Sequence, residues 1–327
     1  MVIEGSSALR SCLKPAILPQ IVEAEPIFFD SYAGLGDALY MRPWVLERSR
    51  REPGGVYVST AWPEAYHGHE DLVRCVPHSS RLRTQQVNIQ RSSWRWHATP
   101  KPHHRVALDY GAWALRKNVS VVQGFHDQTG ASPAIADFKL PIHPSWDAAA
   151  DEVLEALEPR LRGRQLALVR PPTLRPEWKC NSRNPRPEYL EQLVETQRDR
   201  FFFVGVGFLQ PPHEVLDCGR LHSLLDESFL EGQLAWTTIA ALCARVDLVL
   251  ASPCFLVPLC AAVGARAYFV FGGHVPPEIL FDSRMGLDQI GWCAPTPFCN
   301  CQLMHHPCNK EISLAQVLGN LEELLAR

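Results

Sequence analysis

The loop Gly34-Leu35-Gly36-Asp37 has residue types and spacing that suit either phosphate binding or proton transfer. Glycines let the backbone approach an anion closely, and the start of the following helix supplies amide donors and a favourable dipole. Asp37 at that helix start is either a cap or, if the loop faces a ligand cleft, a base for an acceptor hydroxyl group. The alternative for the glycines alone is an ordinary tight turn.

Two further glycine turns, Gly205-Val206-Gly207 and Gly272-Gly273, also follow apolar runs. Neither of the two Gly-x-Gly loops continues into the full dinucleotide fingerprint, because the third glycine is missing from both. A nicotinamide-dependent dehydrogenase is therefore disfavoured, whereas phosphate binding at the glycine turns stays open.

Apolar runs and helix-like stretches alternate along the chain, which predicts parallel sheets flanked by helices. Apolar runs of this length are typical of strands that are buried on both faces. Strands are expected at residues 26–30, 56–60, 105–109, 165–170, 201–204, 246–251 and 266–271, and helices at residues 37–50, 63–73, 146–161, 188–197, 233–244 and 255–263.

At 327 residues the chain is long enough for two domains. The alternation of strands and helices is interrupted near Pro141 and Pro144 and then restarts. We therefore predict a first α/β domain at residues 1–140, a linker and crossing helix at 141–162, and a second α/β domain at 163–327. Because ligands bind at the carboxyl ends of parallel strands, the three glycine turns are expected to meet in a cleft between the domains.

The composition is that of a folded globular protein, with 46% hydrophobic residues, 20% charged residues and a formal net charge of −3. The sequence has no apolar run long enough to cross a bilayer and none of the signal-peptide type, so we expect a cytoplasmic protein. The eleven cysteines are odd in number and mostly stand singly in apolar runs, which favours reduced core thiols over disulfides.

Residues 81–117 contain eight Lys or Arg residues against one acid, with tryptophans and histidines between them. Basic groups that alternate with aromatic rings suit a phosphate backbone with exposed bases, and a phosphorylated lipid sugar would suit them as well. The alternative is a solvated basic face above packed tryptophans. The basic residues are Arg81, Arg83, Arg91, Arg95, Lys101, Arg105, Arg116 and Lys117, and the aromatic ones are Trp94, Trp96, Trp113, His97, His103 and His104.

Residues of metal-ligand type, Cys299, Cys301, His305 and Cys308, form a cluster near the carboxyl terminus, with Cys293 upstream. Their spacing fits no standard zinc motif, so we favour a structural loop over a zinc site. A zinc-dependent module that binds nucleic acid is the alternative function for this cluster.

A family resemblance is carried by the stretch from Ser31 to Leu39, followed by Pro43. It resembles the opening strand, loop and helix of the bacterial heptosyltransferase family, whose GT-B fold has two Rossmann-like domains that face a cleft. In that family the Gly-Asp loop supplies the general base. The resemblance therefore implies that Asp37 is the base.

The second half resembles the same family in the same order. Residues 167–172 stand where the family has its first strand and a His-Pro-Gly turn, and Trp178-Lys179 and Arg183 stand where it has a basic contact to the donor phosphates. Ser252-Pro253-Cys254-Phe255 replaces Asn-Asp-Thr-Gly, and Pro258 replaces a His. The Asp and His of the family hold the donor sugar, so their replacement argues against an ADP-linked heptose as donor.

A closer resemblance, to the heptosyltransferase-like proteins of tailed phages, is carried by residues 170–173, Glu177-Trp178 and residues 183–185. Such phage proteins are linked to sugar decoration of hydroxymethylated DNA bases. A hydroxymethylated base in DNA is therefore our preferred acceptor, and the location would then be the host cytoplasm. A lipopolysaccharide core sugar is the runner-up.

We therefore expect an inverting, metal-independent glycosyltransferase that needs no cofactor and takes a UDP- or ADP-linked sugar. The rival class is a non-catalytic binding module of the same fold. The expected donor contacts are Arg170, Lys179, Arg183, Gly205, Gly207, Ser252, Gly272, Gly273 and His274, and the expected acceptor contacts are Gly34, Gly36, Trp94, Arg95 and Trp96.

Overall fold

Two parallel β-sheets flanked by helices make up the fold, which confirms the predicted α/β class. The structure is a computed structural model that describes residues 25–30, 34–80, 82–108, 117–132, 137–175, 181–209, 214–299 and 308–327. We call residues up to 140 the first half and residues from 163 the second half; these domain boundaries themselves stay a prediction. In the described ranges, no helix combines the length and the hydropathy that a membrane span requires.

The first half contains a four-stranded sheet of order β3-β2-β1-β4, in which every pairing is parallel. Because β1 is an inner strand, the loop that follows it leaves the sheet near the middle of its carboxyl edge. The strands are β1 (Ile27–Asp30), β2 (Val56–Thr60), β3 (Val73–Pro77) and β4 (His104–Ala107), and the helices are Leu35–Ser49, Arg83–Arg91 and Val121–Thr129.

The second half contains a six-stranded sheet of order β12-β11-β10-β5-β7-β9, again parallel throughout. Its strands are β5 (Gln165–Arg170), β7 (Phe201–Val206), β9 (Glu227–Phe229), β10 (Leu248–Ala251), β11 (Ala267–Val270) and β12 (Ile290–Cys293), while the short strands β6 (Thr173–Leu174) and β8 (Val215–Leu216) pair antiparallel. Its helices are Pro187–Gln197, Trp236–Cys243, Leu256–Val263, Pro277–Leu280 and Leu314–Leu325.

The predicted helix at residues 63–73 is wrong. A short 3-10 turn spans Pro63–Tyr66, and Gly68 then adopts a left-handed φ of +79° that ends any helical course. Val73 instead begins β3, whose residues pair with β2 along its whole length. The valine and cysteine side chains of this strand are buried. Pairing with β2 and burial therefore favour a strand over the predicted helix.

One buried hydrophobic cluster extends from the first sheet to the second and includes Phe29 and Phe269. The helix Pro144–Leu161 connects the halves in sequence, and its Trp146 ring lies 5.4 Å from the ring of Trp236. Side chains from the two halves therefore pack in one continuous cluster.

Candidate active site

A cavity of about 230 Å³ lies between the carboxyl ends of the two sheets. The first half contributes the loop after β1, and the second half contributes the ends of β5 and β10. In open parallel sheets this edge is the usual place for a ligand. The lining residues used below are Gly34, Gly36, Asp37, Tyr40, Arg170, Arg175, Arg183, Phe208, Ser252, Cys254 and Phe255.

Asp37 lies in the first turn of the helix Leu35–Ser49, where the helix dipole favours a negative charge. Gly34 is the N-cap and accepts the first helical hydrogen bond, from the Ala38 amide, at 3.0 Å. A Cβ on Gly34 would overlap the Asp37 carboxylate, so a larger residue there would displace the carboxylate from its present position.

Tyr40, one helical turn after Asp37, is a site residue that the sequence reasoning missed. Its hydroxyl group donates to the Leu280 carbonyl at 2.8 Å, which joins the two halves beneath the cavity. Burial raises the pKa of Tyr40 well above its usual value, the charge of Asp37 raises it further, and Arg183 lowers it. The phenol is therefore neutral, and its hydrogen bond to Leu280 supports the helix that carries Asp37. Tyr40 follows Asp37 by three residues and so lies on the same face of the helix, and this spacing is the sequence signal that could have identified it.

Arginines from the second half make the opposite wall positive. Arg170 ends β5, its guanidinium lies 5.7 Å from the ring centre of Phe255, and its buried Nε has no hydrogen-bond partner among the described residues. Burial lowers the pKa of Arg170, and the nearby Arg175 and Arg183 lower it further, while Cys254 and Glu214 oppose that shift. Arg170 is thus a half-buried cation whose buried Nε lacks an acceptor in the described part of the chain, as expected of a group that binds an anion.

The other two arginines differ in how they are held. The Nε of Arg183 donates to the Pro253 carbonyl at 2.9 Å, which orients the side chain along the cavity wall. The Nε of Arg175, which the sequence reasoning also missed, donates to buried Glu214 at 2.6 Å. Glu214 thus offsets the charge of Arg175 directly, whereas the Nε of Arg183 has a neutral carbonyl as its partner.

The Gly272-Gly273 turn lies behind this wall and was expected to offer amides to a phosphate. A Cβ on Gly272 would come within 2.5 to 2.7 Å of the carbonyl oxygens of Ser182, Arg183 and Asn184. The Gly273 amide donates to the Ser182 carbonyl at 2.8 Å and is therefore occupied. Both glycines therefore pack against the turn that carries Arg183, and a donor contact at Gly272 or Gly273 stays a prediction.

His274 lies next to the same turn, with its Nδ1 3.4 Å from the Ser182 hydroxyl group. Burial lowers the pKa of His274, and Arg183 lowers it further, so the imidazole is neutral at neutral pH. It is not among the residues that line the cavity.

Gly205 and Gly207 were also expected to contact the donor. Leu225 and Leu230 cover Gly205, and the Gly207 amide donates to the Phe229 carbonyl at 3.2 Å. The Gly207 amide is thus used within the sheet, and the next residue, Phe208, lines the cavity. A donor contact at Gly205 or Gly207 stays a prediction. Ser252 is 2% exposed and lines the cavity, and its contact with a donor stays a prediction.

Trp94, Arg95 and Trp96, the expected acceptor contacts, are not among the lining residues of the cavity. Both tryptophans are half-buried and pack against the hydrophobic cluster, while Arg95 is exposed. This arrangement matches the alternative interpretation, a basic face above packed rings.

Several expected residues lie outside the described ranges: Lys179 with Trp178 on the donor side, Cys301 and His305 in the cysteine cluster, and Arg81, Trp113 and Arg116 in the basic stretch. Of the cysteine cluster, Cys308 is buried against Gly273 and Cys299 is half-buried. Within the described part of the chain, no group of three or more His, Cys, Asp or Glu side chains is arranged to hold a metal ion.

No protein-family model matches this sequence, and no curated protein matches it either. Solved structures do resemble it. TibC from enterotoxigenic E. coli, an iron-containing dodecameric heptosyltransferase solved with ADP-D-beta-D-heptose, is 12% identical, with 92% of this chain and 76% of that chain covered and a TM-score of 0.62.

A glycosyl transferase family 9 protein from Veillonella parvula is 13% identical, with 92% of this chain and 97% of that chain covered and a TM-score of 0.62. The ADP-heptose lipopolysaccharide heptosyltransferase II of E. coli is 11% identical, with 92% and 98% covered and a TM-score of 0.53. At these identities the likeness establishes the fold alone, which is that of GT-B glycosyltransferases.

Proposed function

We propose that this chain is a glycosyltransferase that moves a sugar from a nucleotide-sugar donor to an acceptor hydroxyl group. The observation that supports it most is the pairing of one carboxylate, Asp37, with two arginines, Arg170 and Arg183, on opposite walls of one cavity. A base on one side and an anion site on the other are the two functions that transfer from a sugar diphosphate requires.

In the proposed reaction the Asp37 carboxylate takes the proton of the acceptor hydroxyl group, and the oxygen attacks the anomeric carbon of the donor. The bond from that carbon to the diphosphate oxygen breaks, and the bonding electrons leave with the diphosphate. Arg170 and Arg183 stabilise the charge that develops on it. A single displacement of this kind inverts the configuration at the anomeric carbon, and no step requires a metal ion.

The donor is a nucleoside diphosphate sugar, UDP- or ADP-linked. ADP-heptose is bound by TibC, but the cavity wall of this chain has a hydroxyl, a proline, a thiol and a phenyl ring at residues 252–255. Sugar hydroxyl groups pair well with carboxylates and imidazoles, and residues 252–255 supply neither. We therefore propose a donor sugar other than the heptose.

For the acceptor, we retain a hydroxymethylated base in DNA as the proposal from sequence, with a lipopolysaccharide core sugar as the second candidate. The observation in favour of a phosphate-bearing acceptor is a set of exposed cations, Arg91, Arg95 and Lys101. Such groups bind a phosphate chain through charge, and salt weakens that binding. The proposed location is the cytoplasm.

The test incubates the protein with a panel of UDP- and ADP-sugars against hydroxymethylated DNA and against truncated lipopolysaccharide, with products identified by mass. Asp37→Asn should lower kcat about 10²- to 10⁴-fold while nucleotide binding persists. The matched control is Asp71→Asn, which changes an exposed carboxylate outside the cavity. Activity of Asp37→Asn within a few-fold of the control would exclude Asp37 as the base. Nucleotide binding without any transfer would support a non-catalytic module instead.

A further inference from the structure

A second cavity, of about 360 Å³, lies on the second half and shares none of its described lining residues with the cavity that contains Asp37. Its walls come from the helices Pro277–Leu280 and Leu314–Leu325, from the end of β12 and from the residues that follow β12. The volume is within the usual range for small-molecule sites. The proposed transfer reaction makes no use of this cavity.

Trp292 forms the aromatic wall of this cavity and is supported from behind. Its ring stacks on Phe281, with 4.7 Å between the ring centres and 25° between the ring planes, and Phe281 is buried beside Phe269 and Phe271. Trp292 itself is 37% exposed. Because Phe281 covers one face of the indole ring, the exposure falls on the other face and the edge. Trp292 therefore offers a flat apolar surface whose position is already fixed.

Neutral polar groups surround the indole ring. The Asn320 amide donates to the Trp292 carbonyl at 3.0 Å, and the Asn320 amide oxygen and the indole N–H have no hydrogen-bond partner among the described residues. Gln316, one helical turn before Asn320, and Thr296 contribute an exposed amide and an exposed hydroxyl group. The cavity therefore combines one apolar surface with several donors and acceptors.

The charge of the lining disfavours an anionic ligand. Lysine, arginine and histidine are absent from the described lining residues, and Glu278 is the one carboxylate among them. A phosphate group would thus meet a negative charge without a cation to offset it. A small organic cation would be attracted to the indole ring and to Glu278, but it would leave the amides of Gln316 and Asn320 unused. A neutral ring that carries hydroxyl groups uses all of these groups.

We propose that this cavity binds a saccharide ring, at a site separate from the site of transfer. The apolar C–H face of the sugar packs on the exposed face of the indole ring, and its hydroxyl groups pair with the amide, hydroxyl and carboxylate groups around it. We call these residues the Trp292 site: Glu278, Trp292, Thr296, Gln316 and Asn320.

The helix Pro277–Leu280 lies between the Trp292 site and the active cavity. Glu278 lines the Trp292 site, whereas Leu280 lines the active cavity and accepts the hydrogen bond from Tyr40. A glycan at the Trp292 site is therefore held against the same short helix that supports the helix of Asp37. The inference does not require that the protein transfers a sugar.

The experiment titrates the full chain with maltohexaose, cellohexaose, laminarihexaose and chitohexaose by isothermal calorimetry, with and without saturating UDP or ADP. At least one hexasaccharide should bind, and the nucleotides should leave its Kd unchanged because they occupy the other cavity. Trp292→Ala should raise that Kd about tenfold, as expected for loss of an aromatic contact. Trp292→Phe keeps an aromatic ring and should retain most of the affinity.

Leu314→Ala is the matched control, because Leu314 is an exposed apolar residue on the same helix as Gln316 and does not line the cavity. If Trp292→Ala does not fold, Gln316→Ala at an exposed position should raise the Kd about fivefold, the usual effect of one hydrogen bond.

The inference is overturned if no hexasaccharide binds, or if the folded variants of Trp292 and Gln316 bind as tightly as Leu314→Ala. Binding of tetramethylammonium at Trp292 without binding of any saccharide would identify a cation site and also overturn it. Saccharide binding at Trp292 in a protein that transfers no sugar would support the Trp292 site and reject the proposed function.

Discussion

A Cβ placed on Gly36 would lie 3.4 Å from the Cα of Phe255, so the loop that carries Asp37 rests against the start of a helix from the other half. This contact joins the proposed base to the wall that carries Cys254 and, nearby, Arg170. The distance between the base and the anion site therefore depends on a close approach of two backbones.

Two substitutions at Gly36 should separate the effect of side-chain size from the effect of helix propensity. Gly36→Ala makes only an ordinary contact with Phe255 and improves helix propensity, so stability should change by less than about 1 kcal/mol. Gly36→Leu should push the halves apart and lower transfer about 100-fold, because a displacement of about 1 Å is that costly. Thermal unfolding and initial rates measure both effects. The control is Gly319→Leu, where no atom lies within 4 Å of an added Cβ. Equal tolerance of leucine at both positions would contradict the prediction.

Arg170→Met should weaken nucleotide binding without lowering the stability of the fold. Removal of a half-buried cation whose buried Nε has no partner among the described residues should leave the free energy of unfolding unchanged or higher. The same change should weaken binding of UDP or ADP by about 10- to 100-fold, which corresponds to one hydrogen bond to a charged group. Calorimetry and urea unfolding measure the two quantities. Arg198→Met, at an exposed position, should alter neither. A destabilised Arg170→Met that still binds nucleotide would show that Arg170 is a structural residue.

Gly272→Ala should destabilise the second half and displace Arg183. The added methyl group would meet three backbone oxygens of residues 182–184, which cannot move aside as a flexible side chain can. We expect a loss of about 1–3 kcal/mol in the free energy of unfolding, as for other overpacked sites. Gly54→Ala is the control, since nothing lies within 4 Å of an added Cβ there. Nucleotide binding that survives in Gly272→Ala would mean that the turn does not set the position of Arg183.

The sequence predicts those parts of the fold whose signal is local. The strands at residues 56–60 and 165–170 are found with the predicted bounds. Each is a short apolar run between turns, a pattern that is typical of a buried strand. The roles of Gly207 and Gly273 could not be predicted in this way. The Gly207 amide donates to the Phe229 carbonyl, and the Gly273 amide donates to the Ser182 carbonyl. The pattern of apolar residues in the sequence does not indicate such contacts.

At the candidate site too, contacts between residues far apart in the chain could not be predicted from the sequence. Asp37 was found because a glycine loop and a helix start surround it, whereas Tyr40 and Arg175 owe their place in the cavity to contacts with Leu280 and Glu214, far away in the chain. A carboxyl-edge cleft is a general property of parallel sheets, but which side chains reach it is decided by tertiary packing.

Asp282 connects the halves and should make their stability depend on acid pH. Its carboxylate accepts hydrogen bonds from Ser120 at 2.5 Å and from Arg284 at 2.7 Å, and Arg284 also donates to Gln123 at 2.9 Å. Burial alone would raise the pKa of Asp282, but the hydrogen bonds from Arg284 and Ser120 outweigh it and lower the pKa to about 2.

Because the pKa of an unfolded Asp is about 3.9, the folded state is stabilised by the ionised carboxylate above that value, and this contribution is lost as the pH falls from about 4 to about 2. Asp282→Asn should therefore lower the free energy of unfolding by about 1.5–3 kcal/mol at pH 7, the usual worth of a hydrogen bond to a charged group. Urea unfolding at a series of pH values should show that the difference from the unaltered protein shrinks below about pH 4. Asp288→Asn, which alters an exposed carboxylate in the same segment, should give no such difference. A deficit in Asp282→Asn that stays constant down to pH 2 would mean that the carboxylate charge is not what joins the halves.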